Sequence, residues 1–188
     1  LKINKKYSTQ TRRLHCQNCL GKITKPFLMT FGIKYSVCNK CGHLNGYYKN
    51  TEKFIKWVYS SDEGDRYYQQ LSTHFDKRVK NIYLPKAKFL KEVIKNKINL
   101  IDIGCGGGHF VKALEIEKIK ATGFEVSKSL VNLGNSKLKK NKLKKVALHD
   151  LFQIIQSENK ANVVSLIGVL EHFSKPNDFF KSFLKSKI

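Results

Sequence analysis

No segment of this 188-residue chain is apolar enough to cross a bilayer. The longest strongly apolar run, Val163 to Leu170, contains Ser165 and Gly168 and falls far short of the ~20 residues a spanning helix needs. An export signal is missing too, because the basic start Leu-Lys-Ile-Asn-Lys-Lys leads into polar residues. The expected compartment is therefore the cytoplasm. The first residue is Leu rather than Met, which points to a trimmed N-terminus. Carboxylates are scarce: 14 Asp and Glu stand against 36 Lys and Arg, for a net charge of +22. Residues 1–51 carry ten basic side chains and no Asp or Glu. Arginine is scarce as well, since only Arg12, Arg13, Arg66 and Arg78 occur beside 32 lysines. A dedicated phosphate surface draws on Arg, whose planar fork binds phosphate bidentately. The Lys surplus accompanies 14 Asn, a bias that AT-rich coding produces on its own. It is weak evidence for a nucleic-acid partner. The densest basic run, residues 137–145 with six lysines, reads as a solvated helix face, with a phosphate-binding patch as the alternative.

Four of the five cysteines are paired as Cys16-Gln-Asn-Cys19 and Cys38-Asn-Lys-Cys41. A two-residue gap curls the backbone so that both sulfurs of a pair face one ion, and two such knuckles make a tetrahedral zinc site. Gly21 and Gly42, just after each knuckle, suit the tight turn. A disulfide pair conflicts with a cytosolic setting, and a redox motif has no use for duplication. A shell of four sulfurs leaves no open position, so the zinc is expected to be structural. His15 and His43 flank the knuckles, but the shell is full without them. Between the knuckles, Ile23 to Tyr35 reads as a short hairpin turning near Gly32. Residues 12–46 are thus expected to form a zinc-ribbon-like domain, small enough to need the metal as a staple. Residues 1–11 are polar and expected to be loose.

Residues 98–103 form a short apolar run, followed by Gly104, Gly106 and Gly108 and then by a helical pattern from Phe110. A buried strand, a Gly turn and a helix make the nucleotide-binding corner of a doubly wound parallel sheet. Dinucleotide folds want G-x-G-x-x-G, but His109 and Val111 stand where a third Gly would fall. The chain instead shows D-x-G-x-G-x-G from Asp102. An acidic residue follows at the end of the next strand, Glu125, twenty-one residues after Gly104. A third segment, ANVVSLIGVLEH over 161–172, precedes Pro176.

These three ordered segments resemble the class I S-adenosylmethionine-dependent methyltransferases over roughly residues 82–184. The resemblance implies an α/β, Rossmann-like doubly wound sheet of order 3-2-1-4-5-7-6, of which the chain supplies the first four strands. The sequence then reads as a C-terminally incomplete piece, with the fourth strand left as an apolar edge. The resemblance also implies that Gly104, Gly106 and Gly108 pass close to the amino acid and ribose parts of S-adenosylmethionine. Asp102 then orients the turn and reaches the methionine end, Glu125 takes the ribose hydroxyls, and Asp150 meets the adenine amine. The family has Asp near the start of the fourth strand, where this chain has Asn162. Cys105 sits in the Gly turn, where family members often carry Cys, and reads as a small buried thiol without chemistry. His172 falls beside the expected methyl group as a general base, or as a helix-start His with a structural hydrogen bond.

The remaining elements follow from periodicity. Residues 51–80 look helical and aromatic-rich, with Phe54, Trp57, Tyr59, Tyr67, Tyr68 and Phe75 as packing glue, or with Tyr59, Tyr67 or Tyr68 as a lid. A helix is expected over 86–97, strands near 98–103, 121–126, 145–148 and 162–167, and helices near 109–118, 127–140 and 177–186. The domains expected are 12–46, a helical linker over 47–81, and the methyltransferase domain over 82–188. A zinc ribbon before such a domain resembles bacterial enzymes of sugar and surface-polysaccharide biosynthesis. That implies methyl transfer to a small-molecule acceptor, a nucleotide-sugar among the candidates. Two alternatives stay open: an RNA methyltransferase gripping phosphates with its basic ribbon, and a catalytically silent ribbon used for binding.

Overall fold

The computed structural model describes residues 2–60, 73–140, 142–147, 150, 153–155, 160–173, 176–186 and 188. It divides into two compact units, one of Leu1–Tyr59 with Glu171–Phe179 and the other of Ser60–Leu170 with Phe180–Ile188.

The first unit opens with α1 (Lys2–Ser8), where the polar composition predicts loose chain. The helix is held by Tyr7, which is buried and donates its hydroxyl to the Tyr48 carbonyl at 2.7 Å. The Tyr7 ring also packs edge-on against Tyr48 and tilted against Phe54. One aromatic in a polar segment leaves no periodic signal, which is why the sequence hides this helix. A three-stranded antiparallel sheet follows: β1 (Leu28–Thr30), β2 (Ile33–Val37) and β3 (Leu44–Gly46), in the order β1-β2-β3. The β1–β2 pair is the hairpin expected from Gly32. Helix α2 (Glu52–Ser60) then brings Phe54 onto Tyr7 and stacks Trp57 on Phe54. These aromatics glue the unit internally. Tyr67, Tyr68 and the side chain of Tyr59, named above as a lid, lie outside the described residues.

Among the described residues, the first helix of the second unit is α3 (Phe75–Arg78), which runs through a π-helical segment, Val79–Tyr83, into α4 (Leu84–Val93). The expected helix over 86–97 thus starts earlier and stops earlier, because Ile94 is already extended. The parallel sheet comprises β4 (Asn99–Ile103), β5 (Lys120–Glu125), β6 (Leu143–Lys145) and β7 (Val163–Ser165). Its order is β6-β5-β4-β7, all parallel, so β4 is flanked on both sides and is buried along nearly its whole length. In order of appearance this is 3-2-1-4, the first part of the order expected. Helices α5 (His109–Ile116) and α6 (Lys128–Lys137) are the crossovers. A core of Ala87, Leu100, Val111, Leu114, Val131 and Leu143 joins helices to sheet. Pro176 opens α7 (Pro176–Leu184), whose first residues belong to the first unit, where Phe179 packs against Phe173.

Two expectations need correction. The third strand lies at 143–145 rather than 145–148, because Leu143 is the residue that buries there. The Lys-rich run 137–145 is not a helix face: α6 ends at Lys137, and β6 begins at Leu143. Leu138 and Leu143 are buried, and Lys142 pairs with Glu115 at 2.9 Å. Glu115 also takes Lys112 at 2.9 Å. Burial alone would raise its carboxyl, but the two ammonium groups outweigh burial and bring it down to about 2.

Asn162 stands where the resemblance calls for Asp, and the structure explains the change. Its Oδ1 accepts from the Asn99 amide at 2.8 Å, while its Nδ2 donates to the Lys97 carbonyl at 2.8 Å. An aspartate keeps the first bond but has no donor for the second. Asn162→Asp is expected to lower stability by about 1 kcal/mol, or about 2–4 °C in melting temperature, measurable by thermal denaturation near neutral pH.

Candidate functional site

The site is built where β4 and β5 end side by side. Asp102 pairs in register with Gly123 on one side and with Ser165 on the other. Its carboxyl is buried, and the Ser165 hydroxyl donates to Oδ1 at 2.6 Å. Burial pushes the Asp102 carboxyl up to about 7; the Ser165 hydrogen bond pulls down, and the Glu125 charge pushes further up.

Glu125, at the end of β5, is buried and accepts three main-chain N–H groups. Oε2 accepts from Gly106 at 2.8 Å, and Oε1 from Val126 at 2.8 Å and Ser127 at 3.0 Å. One carboxylate thereby ties the Gly turn to the start of α6, where Ser127 caps Leu130 with its hydroxyl. The turn itself needs glycine at two positions for different reasons. Gly104 has φ +66°, and a β-carbon there would lie 2.6 Å from Val169 Cγ2. Gly106 has φ +55° with open space around it, so its constraint is backbone conformation alone, and it leaves bare main chain facing outward. At the start of α5, the His109 ring is stacked between Phe75 at 4.4 Å and Tyr83 at 5.5 Å. This sandwich fastens the segment before the sheet to the helix after the Gly turn.

The other expected residues are placed as follows. Asp150 is half-buried and follows β6 in the chain. Cys105 is half-buried, and its thiol is pushed well up from its ordinary range by burial and then by Asp102 and Glu125. Val169, against Gly104, carries the chain off β7, and the 3-10 turn Leu170–His172 follows, with His172 exposed. Sequence reasoning missed Ser165 and the Phe75–His109–Tyr83 stack. A Ser two residues into an apolar run opposite a buried acid was the available signal for the first. The second carries none, since its members are far apart in the chain.

In the first unit, Cys16, Cys19, Cys38 and Cys41 bring their four sulfurs within 4.8 Å of one another. Cys16 and Cys41 are 3.7 Å apart and Cys19 and Cys38 are 3.5 Å apart, too far for disulfides. A tetrahedral ion with Zn–S bonds of ~2.3 Å needs sulfurs about 3.8 Å apart, so the donor set fits one zinc. Cys16 also receives the Asn18 amide at 3.4 Å and the Asn45 side chain at 3.5 Å, donors suited to a thiolate. The two turns differ from expectation in one respect. Gly42 takes the left-handed conformation after the second knuckle, but after the first it is Leu20 that does so, at φ +60°. Gly21 is there for space: a β-carbon would lie 3.3 Å from the sulfurs of Cys19 and Cys38.

Residues 75–186 match a family model described as a methyltransferase domain. The chain is similar to a ubiquinone biosynthesis O-methyltransferase of Rickettsia akari, 26% identical over 90 residues, covering 48% of this chain and 36% of that one. It is also similar to an uncharacterized protein of Methanocaldococcus jannaschii, 30% identical over 110 residues, covering 56% and 40%. The chain thus spans well under half the length of these relatives. Among solved structures, the plantazolicin methyltransferase BpumL in complex with SAH aligns with a TM-score of 0.51 at 17% identity, covering 70% of this chain and 51% of that one. That likeness is one of fold.

The Asp102 carboxyl gives a pH signature. Below about 7 the folded state holds its proton, whereas the unfolded chain releases it near the ordinary value of 3.8. Between these pH values the folded state binds one more proton, so stability falls as pH rises. Asp102→Asn is expected to remove that component, flattening the fall by up to about 1.4 kcal/mol per pH unit. Urea denaturation of both proteins from pH 4.5 to 7.5 checks it.

Proposed function

The chain belongs to the methyltransferase-domain family, and from that premise we propose that it binds S-adenosylmethionine at the Gly turn and transfers the methyl group to a small-molecule acceptor. The observation that carries the reading is the clamp of Glu125 on the Gly106 amide, which sets an ionisable acid and bare main chain at the carboxyl end of adjacent parallel strands. Ligands of open α/β sheets bind at that end. S-adenosylmethionine, when bound, supplies an electrophilic methyl on a sulfonium. The residues of this chain hold and orient it. Gly104, Gly106 and Gly108 admit the ligand against the backbone, and Asp102 shapes the turn from beneath. Asp150 is assigned to the adenine end. A carboxylate offers about four acceptor positions. Three on Glu125 are filled by main-chain donors. One ribose hydroxyl therefore takes the free position on Oε2, and a second displaces a loop amide. His172 is assigned as the base that takes the proton from an acceptor hydroxyl.

The acceptor class is supported by relatives named for ubiquinone biosynthesis. A sugar-linked acceptor is the finer part of the proposal and rests on the pairing of cysteine knuckles with this domain. We assign the knuckles one structural zinc. Metal analysis of protein purified under reducing conditions is expected to give about one zinc per chain, and chelation to unfold the N-terminal sheet. A folded, metal-free N-terminal unit counts against it.

Calorimetry with S-adenosylhomocysteine tests the cofactor assignment. Binding is expected, and Glu125→Ala is expected to weaken it by about 1.5–3 kcal/mol. Preference for NAD, or indifference to the substitution, sinks the reading.

A further inference from the structure

The hairpin between β1 and β2 is built against ordinary turn chemistry. Thr30 pairs with Ile33, so the loop is the two residues Phe31 and Gly32, with φ of +49° and +75°. Positive φ at both positions is the signature of a type I′ turn, which favours Asn-Gly. Phenylalanine in the left-handed region is strained, and this ring is also 83% exposed. Nor is it alone. Phe27 is 71% exposed, Met29 is 67% exposed, and Leu28 is exposed as well. Four large apolar side chains within five consecutive residues thus face solvent on the edge strand and its turn.

The flanks of this tip are basic. Lys34 lies directly across from Met29, and Lys25 is two residues before Phe27. Asn4 donates to the Phe31 carbonyl at 2.7 Å, which fastens α1 and its Lys5 beside the turn. Lys25 also lines, with Arg12, His15 and Lys22, a cavity of about 410 Å³. Residues 1–51 carry no carboxylate side chain of their own.

We propose that the Phe27–Phe31 hairpin is a docking tip for an anionic lipid bilayer, with its apolar side chains entering the interface and the surrounding lysines on the headgroups. The chemistry selects this occupant. Apolar insertion plus basic flanks is the two-signal pattern of peripheral membrane binding, each nearby lysine adding to attraction for anionic lipid. Single-stranded nucleic acid stacks on aromatic rings, which Phe27 and Phe31 offer, but it has no use for the aliphatic Leu28 and Met29 between them, which a bilayer interface takes in. A second copy of the chain meets the same uncompensated positive charge. The proposal is independent of the methyl-transfer reading, since it uses only the N-terminal unit.

Phe31→Asn makes the test clean, because Asn is at home in the left-handed conformation and is expected to leave the melting temperature unchanged or higher. The zinc-loaded full chain is sedimented with vesicles of phosphatidylcholine, with and without about 30% phosphatidylglycerol. Binding is expected on the anionic vesicles only, falling about tenfold in Phe31→Asn and further in Phe27→Ser/Phe31→Asn. Lys25→Ala/Lys34→Ala is expected to weaken binding and flatten its salt dependence. The proposal is overturned by absence of vesicle binding or by binding indifferent to Phe31→Asn. It is equally overturned if Phe31→Asn instead abolishes capture of poly(U) RNA or dissolves a dimer seen in sedimentation velocity.

Discussion

Two carboxyl groups of like sign end neighbouring parallel strands, and the second unit is arranged around making that tolerable. Asp102 and Glu125 are both buried. Two buried ionised acids so placed are costly, and the pair resolves the conflict by unequal provision. Glu125 receives three main-chain N–H groups, whereas Asp102 has one hydroxyl, from Ser165, and holds its proton up to about 7. The amides on Glu125 come from the Gly turn and the start of α6, so satisfying one acid fixes both. Gly104 closes the turn against Val169, which carries the chain off the fourth strand. The turn conformation and the start of α6 thus meet at Glu125, while Asp102 holds its proton first because it is buried and last because of the Glu125 charge.

That arrangement was largely legible in the sequence, because each component leaves a local mark. Alternate glycines after an apolar run, an acid one strand later and a second short apolar run identify β4, β5 and β7 without tertiary information. The order of the four strands was available through the family likeness and not from any residue. What stayed hidden depends on single residues acting across long separations. Leu143 alone decides where β6 begins, because it fills the space beside Gly108, Gly123 and Gly134. In a Lys-rich run two leucines five residues apart set no clear period, so the sequence alone puts the strand two residues late and makes the run a helix face. Tyr7 does the same for α1.

Asn162 shows how a departure from a family pattern is resolved by counting donors. The side chain accepts from Asn99 and donates to Lys97, and of Asn and ionised Asp only Asn can do both. With Asp at that position, the donor to Lys97 has to come from elsewhere. The substitution therefore concerns the start of β7 and not the chemistry at its far end, where Ser165 meets Asp102.

The two units bury their apolar residues by different means, and the contrast explains the surface of the first. In the second unit a parallel sheet covered by helices collects Leu100, Val111, Leu114 and their neighbours into one core. Around the knuckles, the buried cluster consists of Cys16, Ile23 and Cys38, with Cys19 packed on it. So small a cluster around the knuckles suits a metal staple, the role proposed above for the four converging sulfurs. The unit then has no folding need for Phe27, Met29 or Phe31 inside, and these are among its most exposed side chains. Leaving large apolar groups in water carries its own cost, about 25 cal/mol for each Å² not buried. Phe31 adds backbone strain on top, where Asn would have none. A position disfavoured on both counts in the free protein gains from something that covers it, and the lysines flanking the hairpin favour a covering partner of negative charge.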